Sequence, residues 1–244
     1  MLVAYLKRGV AAGALAGIAY GVFVAVVAGP LVGYVEEVSR HGHGGGHDHA
    51  HAVSELTTAA AGVGGGVLWG VLLGAAFGVA FYFLEPALPG RGRAKAYVLA
   101  GAGFLTVSAT PWLVLPPVVP GAEQSLSTDL RVPIYAGLML LGALTAGASL
   151  LLYRRAAART TTRRAIALGL SPLALPVAIL PLVSPSAVAH GGVPPALATA
   201  FRGLVVLSQA GLWLLLASCY GWLHRRAGDG SPLERSGDGE PLGA

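Results

Sequence analysis

Five histidines within eleven residues form the densest chemistry of this sequence. Glycines and one aspartate separate them, and the candidate metal ligands are His41, His43, His47, His49, His51 and Asp48. Imidazole nitrogen suits zinc, cobalt, nickel and copper, and suits magnesium or calcium poorly. Because the intervening glycines impose no fixed geometry, we expect a weak, exchangeable site that collects ions or hands them over. A hydrophilic linker with accidental histidines is the alternative.

Two histidines lie outside this cluster. His190 belongs to another hydrophilic segment, so we add it to the candidate metal ligands, with a hydrated loop histidine as the alternative. His224 precedes Arg225 and Arg226, and we interpret it as an interfacial residue.

The composition indicates a membrane protein. Of the 244 residues, 55% are hydrophobic and 11% are charged, whereas soluble domains carry about 25% charged residues. A single cysteine, Cys219, excludes an internal disulfide and a cysteine-based metal cluster. The formal net charge is +5, but the basic residues stand in short clusters beside apolar runs. We therefore interpret them as topology signals and expect no nucleic-acid partner.

Six apolar runs are each long enough to cross a bilayer core about 30 Å thick. The predicted fold is therefore an all-α polytopic membrane domain over residues 1–225. A histidine-rich loop is predicted at residues 30–55 and a disordered tail at 226–244. A cleaved signal peptide is the alternative for the first run, and would leave five spans. The predicted spans are 9–29, 56–84, 96–115, 132–153, 165–183 and 201–223.

The basic residues predict the orientation of these spans. Six spans place 13 Lys and Arg residues on one side and three, Arg40, Arg131 and Arg202, on the other. The positive-inside rule then puts both termini in the cytoplasm and the histidine loop outside. The predicted location is a multi-pass protein of the plasma or inner membrane.

Small residues and prolines predict local features of the spans. Gly66, Gly70, Gly74 and Gly78 are spaced by four and form a groove for a neighbouring helix. Proline removes a backbone donor and leaves a carbonyl that needs another partner. Pro111 interrupts the third span in this way. The three prolines of the fifth span, Pro172, Pro176 and Pro181, predict a kinked or broken helix.

No Asp, Glu, Lys, Arg or His lies deep inside the predicted spans, and Glu85, at the end of the second, comes nearest. An intramembrane enzyme needs such groups at depth, so we expect no enzymatic activity. Hydroxyl and amide groups, with carbonyls freed by proline, are candidates for an ion path, although back-bonding within the helix is the simpler interpretation. These residues are Thr106, Ser108, Thr110, Thr145, Ser149, Ser208, Gln209 and Cys219.

Several of these segments together resemble a known family. They are the glycine-rich first and second spans, the His/Gly/Asp loop, and the stretch from Phe83 to Gly90. The stretch from Thr110 to Gly121, with its Pro-Trp-Leu, Pro-Pro and Pro-Gly motifs, is the most specific part. About residues 1–225 are similar to the CbtA family of predicted cobalt transporter subunits. The loop histidines match that family's histidine-rich loop by residue type only.

The resemblance implies cobalt uptake, often linked to cobalamin synthesis, and a small single-span, histidine-containing partner subunit, CbtB. We therefore expect the membrane subunit of a cobalt importer, with nickel as a possible cargo, the lipid bilayer as its surroundings and no tightly bound cofactor. The sequence has no G-x-x-x-x-G-K-[ST] motif, so coupling to ATP would need another chain. A metal-binding scaffold or sensor without transport is the first alternative. A membrane enzyme and an efflux pump are disfavoured alternatives, and a cytoplasmic position of the histidine loop would exclude the importer.

Overall fold

The computed structural model describes residues 1–34, 55–119, 126–183 and 194–229. These residues form six helical segments, which we number along the chain. Helix α1 is Leu2–Tyr34, with a π-helical stretch at Val24–Ala28. Segment α3 consists of Arg93–Phe104, a π-helical stretch at Leu105–Ala109, and the short helix Thr110–Trp112. The others are α2 (Glu55–Leu84), α4 (Thr128–Ala157), α5 (Thr162–Val183) and α6 (Pro195–Asp229).

The predicted all-α membrane architecture is confirmed. Within the described residues, five helices are long and apolar enough to cross a membrane: α1, α2, α4, α5 and α6. The predicted third span corresponds to α3, whose three stretches follow one another without a gap from Arg93 to Trp112. At 1.5 Å per residue such a run covers about 30 Å, close to the thickness of a bilayer core. Helix α6 continues to Asp229, so residues 226–229 of the predicted tail are helical, and 230–244 lie outside the described residues.

The fifth span was predicted to be kinked or broken, and the broken form is wrong. Helix α5 runs from Thr162 to Val183 with Pro172, Pro176 and Pro181 inside it. Pro172 has no N–H for the carbonyl of Leu168, four residues earlier. The hydroxyl of Ser171 donates a hydrogen bond of 2.8 Å to that same carbonyl, so the acceptor that Pro172 leaves free has a partner.

Helices α1 and α2 are held together by two interlocking rows of glycine. The predicted groove on α2 packs against α1, which carries its own row at the same four-residue spacing. A Cβ atom built on Gly66 would stand 2.5 Å from the Cα of Gly21, and one on Gly17 would stand 2.5 Å from the carbonyl oxygen of Gly66. The two backbones are therefore in direct contact, and no larger side chain fits between them. The facing rows are Gly9, Gly13, Gly17 and Gly21 on α1 and Gly66, Gly70, Gly74 and Gly78 on α2.

The buried core lies among α1, α2, α3 and α6. Its largest members are Phe77 and Phe81 of α2 with Trp213 and Tyr220 of α6. Helix α4 packs against the π-helical stretch of α3, and α5 packs against α4. Four segments therefore form a centre, with the α4–α5 pair on its flank.

Between α2 and α3 the chain reverses through a short turn. Gly90 has φ +94° and Gly92 has φ +54°, a region that side chains with a Cβ rarely adopt. The Arg154 guanidinium donates a hydrogen bond of 3.2 Å to the carbonyl of Ala87, which ties the turn to α4.

Candidate functional site

The predicted metal ligands lie outside the described residues. His41, His43, His47, Asp48, His49 and His51 fall within residues 35–54, and His190 falls within 184–193. Within the part of the chain that the structure describes, no three His, Cys, Asp or Glu side chains come together as a metal site. The metal-ligand prediction therefore stays a prediction.

The described helices show where those two segments are attached. The end of α1 (Leu31) and the start of α6 (Ala198 and Phe201) pack together around Val119. Helices α1 and α2 run antiparallel, since Gly21 of α1 contacts Gly66 of α2 whereas the earlier Gly9 contacts the later Gly78. The helix ends that flank residues 35–54 therefore lie beside the start of α6, which follows residues 184–193. We call this end of the bundle the histidine end.

Basic side chains mark the opposite end. Of the 14 Lys and Arg residues that the structure describes, two, Arg131 and Arg202, belong to the half of the bundle near the histidine end. The other 12 lie at the start of α1, the end of α6, the turn before α3 and the α4–α5 connection; we call this the basic end. They are Lys7, Arg8, Arg91, Arg93, Lys95, Arg154, Arg155, Arg159, Arg163, Arg164, Arg225 and Arg226.

Buried polar groups lie between the two ends. Ser108 and Thr110 of α3 are each 1% exposed, and Thr145 of α4 and Gln209 of α6 are each 7% exposed. Thr145 donates a hydrogen bond of 2.8 Å to the carbonyl of Leu141 in its own helix. Its hydroxyl is therefore used in back-bonding within the helix, the simpler alternative to a place in the ion path. The hydroxyl of Thr110, in contrast, is buried without a hydrogen-bond partner among the described residues. The hydroxyl of Ser149 is likewise buried without a partner in the described part of the chain. Thr110 and Ser149 are therefore the predicted path residues that keep an unused polar group.

Pro111 interrupts the regular hydrogen bonding of α3, and a side chain of α4 supplies the bond that is lost. Pro111 cannot bond to the carbonyl of Val107, four residues earlier, and the preceding turn widens into the π-helical stretch. The Tyr135 hydroxyl donates a hydrogen bond of 2.6 Å to that carbonyl. Helices α3 and α4 approach each other closely at Gly142. A Cβ atom at this position would stand 2.9 Å from the Cα of Thr106 and 3.1 Å from the Thr110 hydroxyl oxygen. The prediction that this carbonyl needs another partner is confirmed.

Five polar side chains from four segments meet at the basic end. The Tyr5 hydroxyl of α1 donates a hydrogen bond of 2.7 Å to Oε2 of Glu85. The other carboxylate oxygen, Oε1, lies 3.8 Å from Nζ of Lys95 and 3.7 Å from Nε2 of His224. Arg8 contacts the far side of the imidazole, with its Nη1 3.2 Å from Nδ1 of His224. We call this set the Glu85 network; it joins the turn after α2 to α1, α3 and α6.

The contact with Arg8 fixes the roles of the imidazole. A guanidinium has only donors, so Nδ1 of His224 accepts and a neutral ring carries its proton on Nε2. That proton faces Oε1 of Glu85. In this arrangement Glu85 is the acceptor on which Tyr5, Lys95 and His224 converge.

Aromatic rings enclose the inner side of the Glu85 network. The His224 ring stacks on Tyr220, with centroids 6.0 Å apart, and lies 5.4 Å from the Phe81 ring. Phe81 and Tyr220 are almost completely buried. The network therefore stands over the packed centre of α2 and α6 rather than at the edge of the bundle.

The Glu85 network is the feature that the sequence interpretation missed. His224 is not a lone interfacial residue, since its ring contacts Arg8, Tyr5, Phe81 and Tyr220. One signal was present in the sequence. Gln209, Trp213, Tyr220 and His224 follow at spacings of four, seven and four, which places them within about 60° on one face of a helix.

The fold and these features define a polytopic membrane protein with a mainly apolar interior, a few buried polar groups and two chemically distinct ends. A family model described as "Probable cobalt transporter subunit (CbtA)" matches residues 2–225, which is nearly the whole chain. The chain belongs to this family, and the resemblance inferred from its motifs is confirmed. No curated protein and no solved structure gives a significant match.

Proposed function

We propose that this protein is the membrane subunit of an importer for Co²⁺, with Ni²⁺ as the possible second cargo. Residues 35–54 and 184–193 would collect the ion outside the cell through His41, His43, His47, Asp48, His49, His51 and His190. The observation that carries this proposal, beside the family, is that both segments join the bundle at one end, opposite the basic end. A collecting end outside the cell and a basic end in the cytoplasm fit the proposed direction of import.

Orientation and driving force agree with import. We propose that the basic end faces the cytoplasm, because cytoplasmic connections carry an excess of Lys and Arg. A membrane potential of 100 mV, negative inside, then favours inward movement of a dication by about 4.6 kcal/mol, from about 2.3 kcal/mol per charge. Import therefore needs no chemical step in this chain, and we propose transport rather than catalysis.

A transporter subunit works with other subunits. We propose a small single-span membrane protein with its own histidines, similar to CbtB, as the partner. Imidazole on both chains would let the ion pass between ligands of one type without a large change in affinity. A metal-binding scaffold or sensor is the competing function, because the predicted loop would bind metal in either case.

The test is uptake of labelled cobalt by cells that express this chain, with and without a candidate single-span partner. A variant with the five loop histidines changed to alanine is compared with one whose residues 41–51 are scrambled but keep all five. We expect the alanine variant to lose uptake at low cobalt and recover it at high cobalt, and the scrambled variant to behave like wild type. Metal binding without uptake under every pairing would overturn transport in favour of the scaffold or sensor.

A further inference from the structure

The Glu85 network closes the centre of the bundle at the basic end. Tyr5 and Arg8 come from α1, Glu85 from the end of α2, Lys95 from α3 and His224 from α6. Because α1 and α2 are joined by the glycine rows, three contacts of the network connect the α1–α2 unit to α3 and α6: Glu85 with Lys95, Glu85 with His224, and Arg8 with His224. All three must break before the two parts can separate at this end.

We propose that the Glu85 network is the cytoplasmic gate of the ion path, in which Arg8 and Lys95 repel cations while the gate is shut. This inference rests on the proposed transport of a divalent metal ion. The one carboxylate of the network already accepts a hydrogen bond from Tyr5 and lies 3.8 Å from Nζ of Lys95 and 3.7 Å from Nε2 of His224. Two permanent cations against one anion leave the shut gate with net positive charge, which opposes a dication more strongly than a monovalent ion.

A row of polar groups leads to this gate along the buried face of α6. Gln209 lies in the outer half of the helix, and Trp213, Tyr220 and His224 follow on the same face toward the basic end. Nε1 of Trp213 and the Tyr220 hydroxyl are buried without a hydrogen-bond partner among the described residues. Buried polar atoms are rarely left unpaired, so Trp213 and Tyr220 each keep a polar group that a water molecule or an ion entering along this face would contact.

The shut gate also hides two metal-binding groups. While Arg8 donates to Nδ1, the proton on Nε2 keeps His224 from binding a metal on that side. If Arg8 and Lys95 withdraw, Nδ1 of His224 can take up a proton from water while Nε2 releases its own proton to water. Nε2 and Oε1 of Glu85, which lie 3.7 Å apart, are then both free to bind a metal. Two ligand atoms of one tetrahedral divalent ion lie about 3.4 Å apart, from bond lengths of about 2.1 Å. An arriving ion therefore competes with Arg8 and Lys95 for His224 and Glu85. The gate opens when the ion replaces the two cationic side chains at these residues.

The first test measures cobalt influx into liposomes that contain the purified protein, with its partner if the partner is required. We expect Lys95→Gln and Arg8→Gln to raise the initial rate and Glu85→Gln to lower it. For one charge about 8 Å from a dication in a medium of dielectric constant about 80, the change in rate is about sixfold. Arg159→Gln is the matched control, because it removes the same charge from an exposed site at the basic end outside the network.

Stability measurements separate gating from a structural role. A network that only holds helices together would make all three network variants less stable and less active. Equal effects of Lys95→Gln and Arg159→Gln, or changes of the same sign for Lys95→Gln and Glu85→Gln, would overturn the gate.

A second test does not depend on transport. Tyr220→Cys, made together with Cys219→Ala, places the only thiol directly behind His224, and cationic and anionic methanethiosulfonate reagents report access to it. We expect Lys95→Gln and Arg8→Gln to speed labelling by the cationic reagent relative to the anionic one, whereas Arg159→Gln leaves the ratio unchanged. If both reagents label the thiol faster by the same factor, the substitution has only loosened the packing of the helices, and the proposed gate is overturned. If the unmodified protein carries no cobalt, the proposed function fails, and the labelling ratio still decides whether the network repels cations.

Discussion

Replacing Gly70 by alanine tests the glycine contact between α1 and α2. A Cβ at Gly70 would stand 2.6 Å from the Cα and 2.9 Å from the nitrogen of Gly17, and closer still to the carbonyl oxygen of Gly13. All of these are backbone atoms, so no side chain can rotate away and the helices must separate. An ordinary contact at about 3.4 Å requires a shift of at least about 0.8 Å, and gaps of that size forfeit a quarter to a half of each dispersion contact.

The matched control is Gly64→Ala on the same helix, where an added Cβ meets nothing within 4 Å. Alanine is favoured over glycine in a helix by about 1 kcal/mol, and this gain is common to both variants. Their difference therefore isolates the steric cost, which for overpacking is about 1–3 kcal/mol.

The measurement is equilibrium unfolding in mixed micelles, followed by helix content. We expect the Gly70 variant to be less stable than the Gly64 variant by about 1–3 kcal/mol. Equal stability of the two variants, or a more stable Gly70 variant, would refute direct backbone contact between α1 and α2.

Two further contacts can be tested by measuring the stability of variants under the same unfolding conditions. Tyr135→Phe removes the donor to the Val107 carbonyl and should cost about 1 kcal/mol or more, because that carbonyl lacks its usual helical partner; an unchanged stability would mean that another group replaces the hydroxyl. Gly103→Ala should destabilise the protein, since its Cβ would run into the Trp213 ring, whereas Gly101→Ala, on the open side of the same helix, should not. Identical effects of the two alanine variants would contradict the packing of Trp213 against α3.

Much of the fold follows from hydropathy and small residues. Apolar runs longer than the bilayer is thick must be helical, since only helices satisfy their own backbone there. For this reason the helix positions were predictable, and only their ends were not: α1 begins at Leu2 and α6 ends at Asp229, beyond the apolar runs. The ends extend because a helix continues into the polar interface where water satisfies its last groups.

The Glu85 network was not predictable by the same reasoning. Hydropathy treats Glu85 and His224 as residues at the ends of two separate spans, 139 positions apart in the numbering. What brings them together is the packing of α6 against α1 and α3, with the rings of Phe81 and Tyr220 in contact between α2 and α6. The continuity of α5 was not predicted for a related reason. A proline in the sequence identifies the carbonyl that loses its partner, but it does not indicate whether a neighbour such as Ser171 will bond to that carbonyl.

The glycine contact between α1 and α2 has a consequence for how the histidine segment can evolve. The helix ends at Tyr34 and Glu55 are set by contacts inside the bundle, so the connection between them does not have to hold the helices together. Doubling the length of a flexible connection costs only about 0.6 kcal/mol in closure entropy. Histidines can therefore be gained, lost or rearranged between these two helices at little expense to folding, and the metal capacity of the protein can change while its membrane domain stays the same.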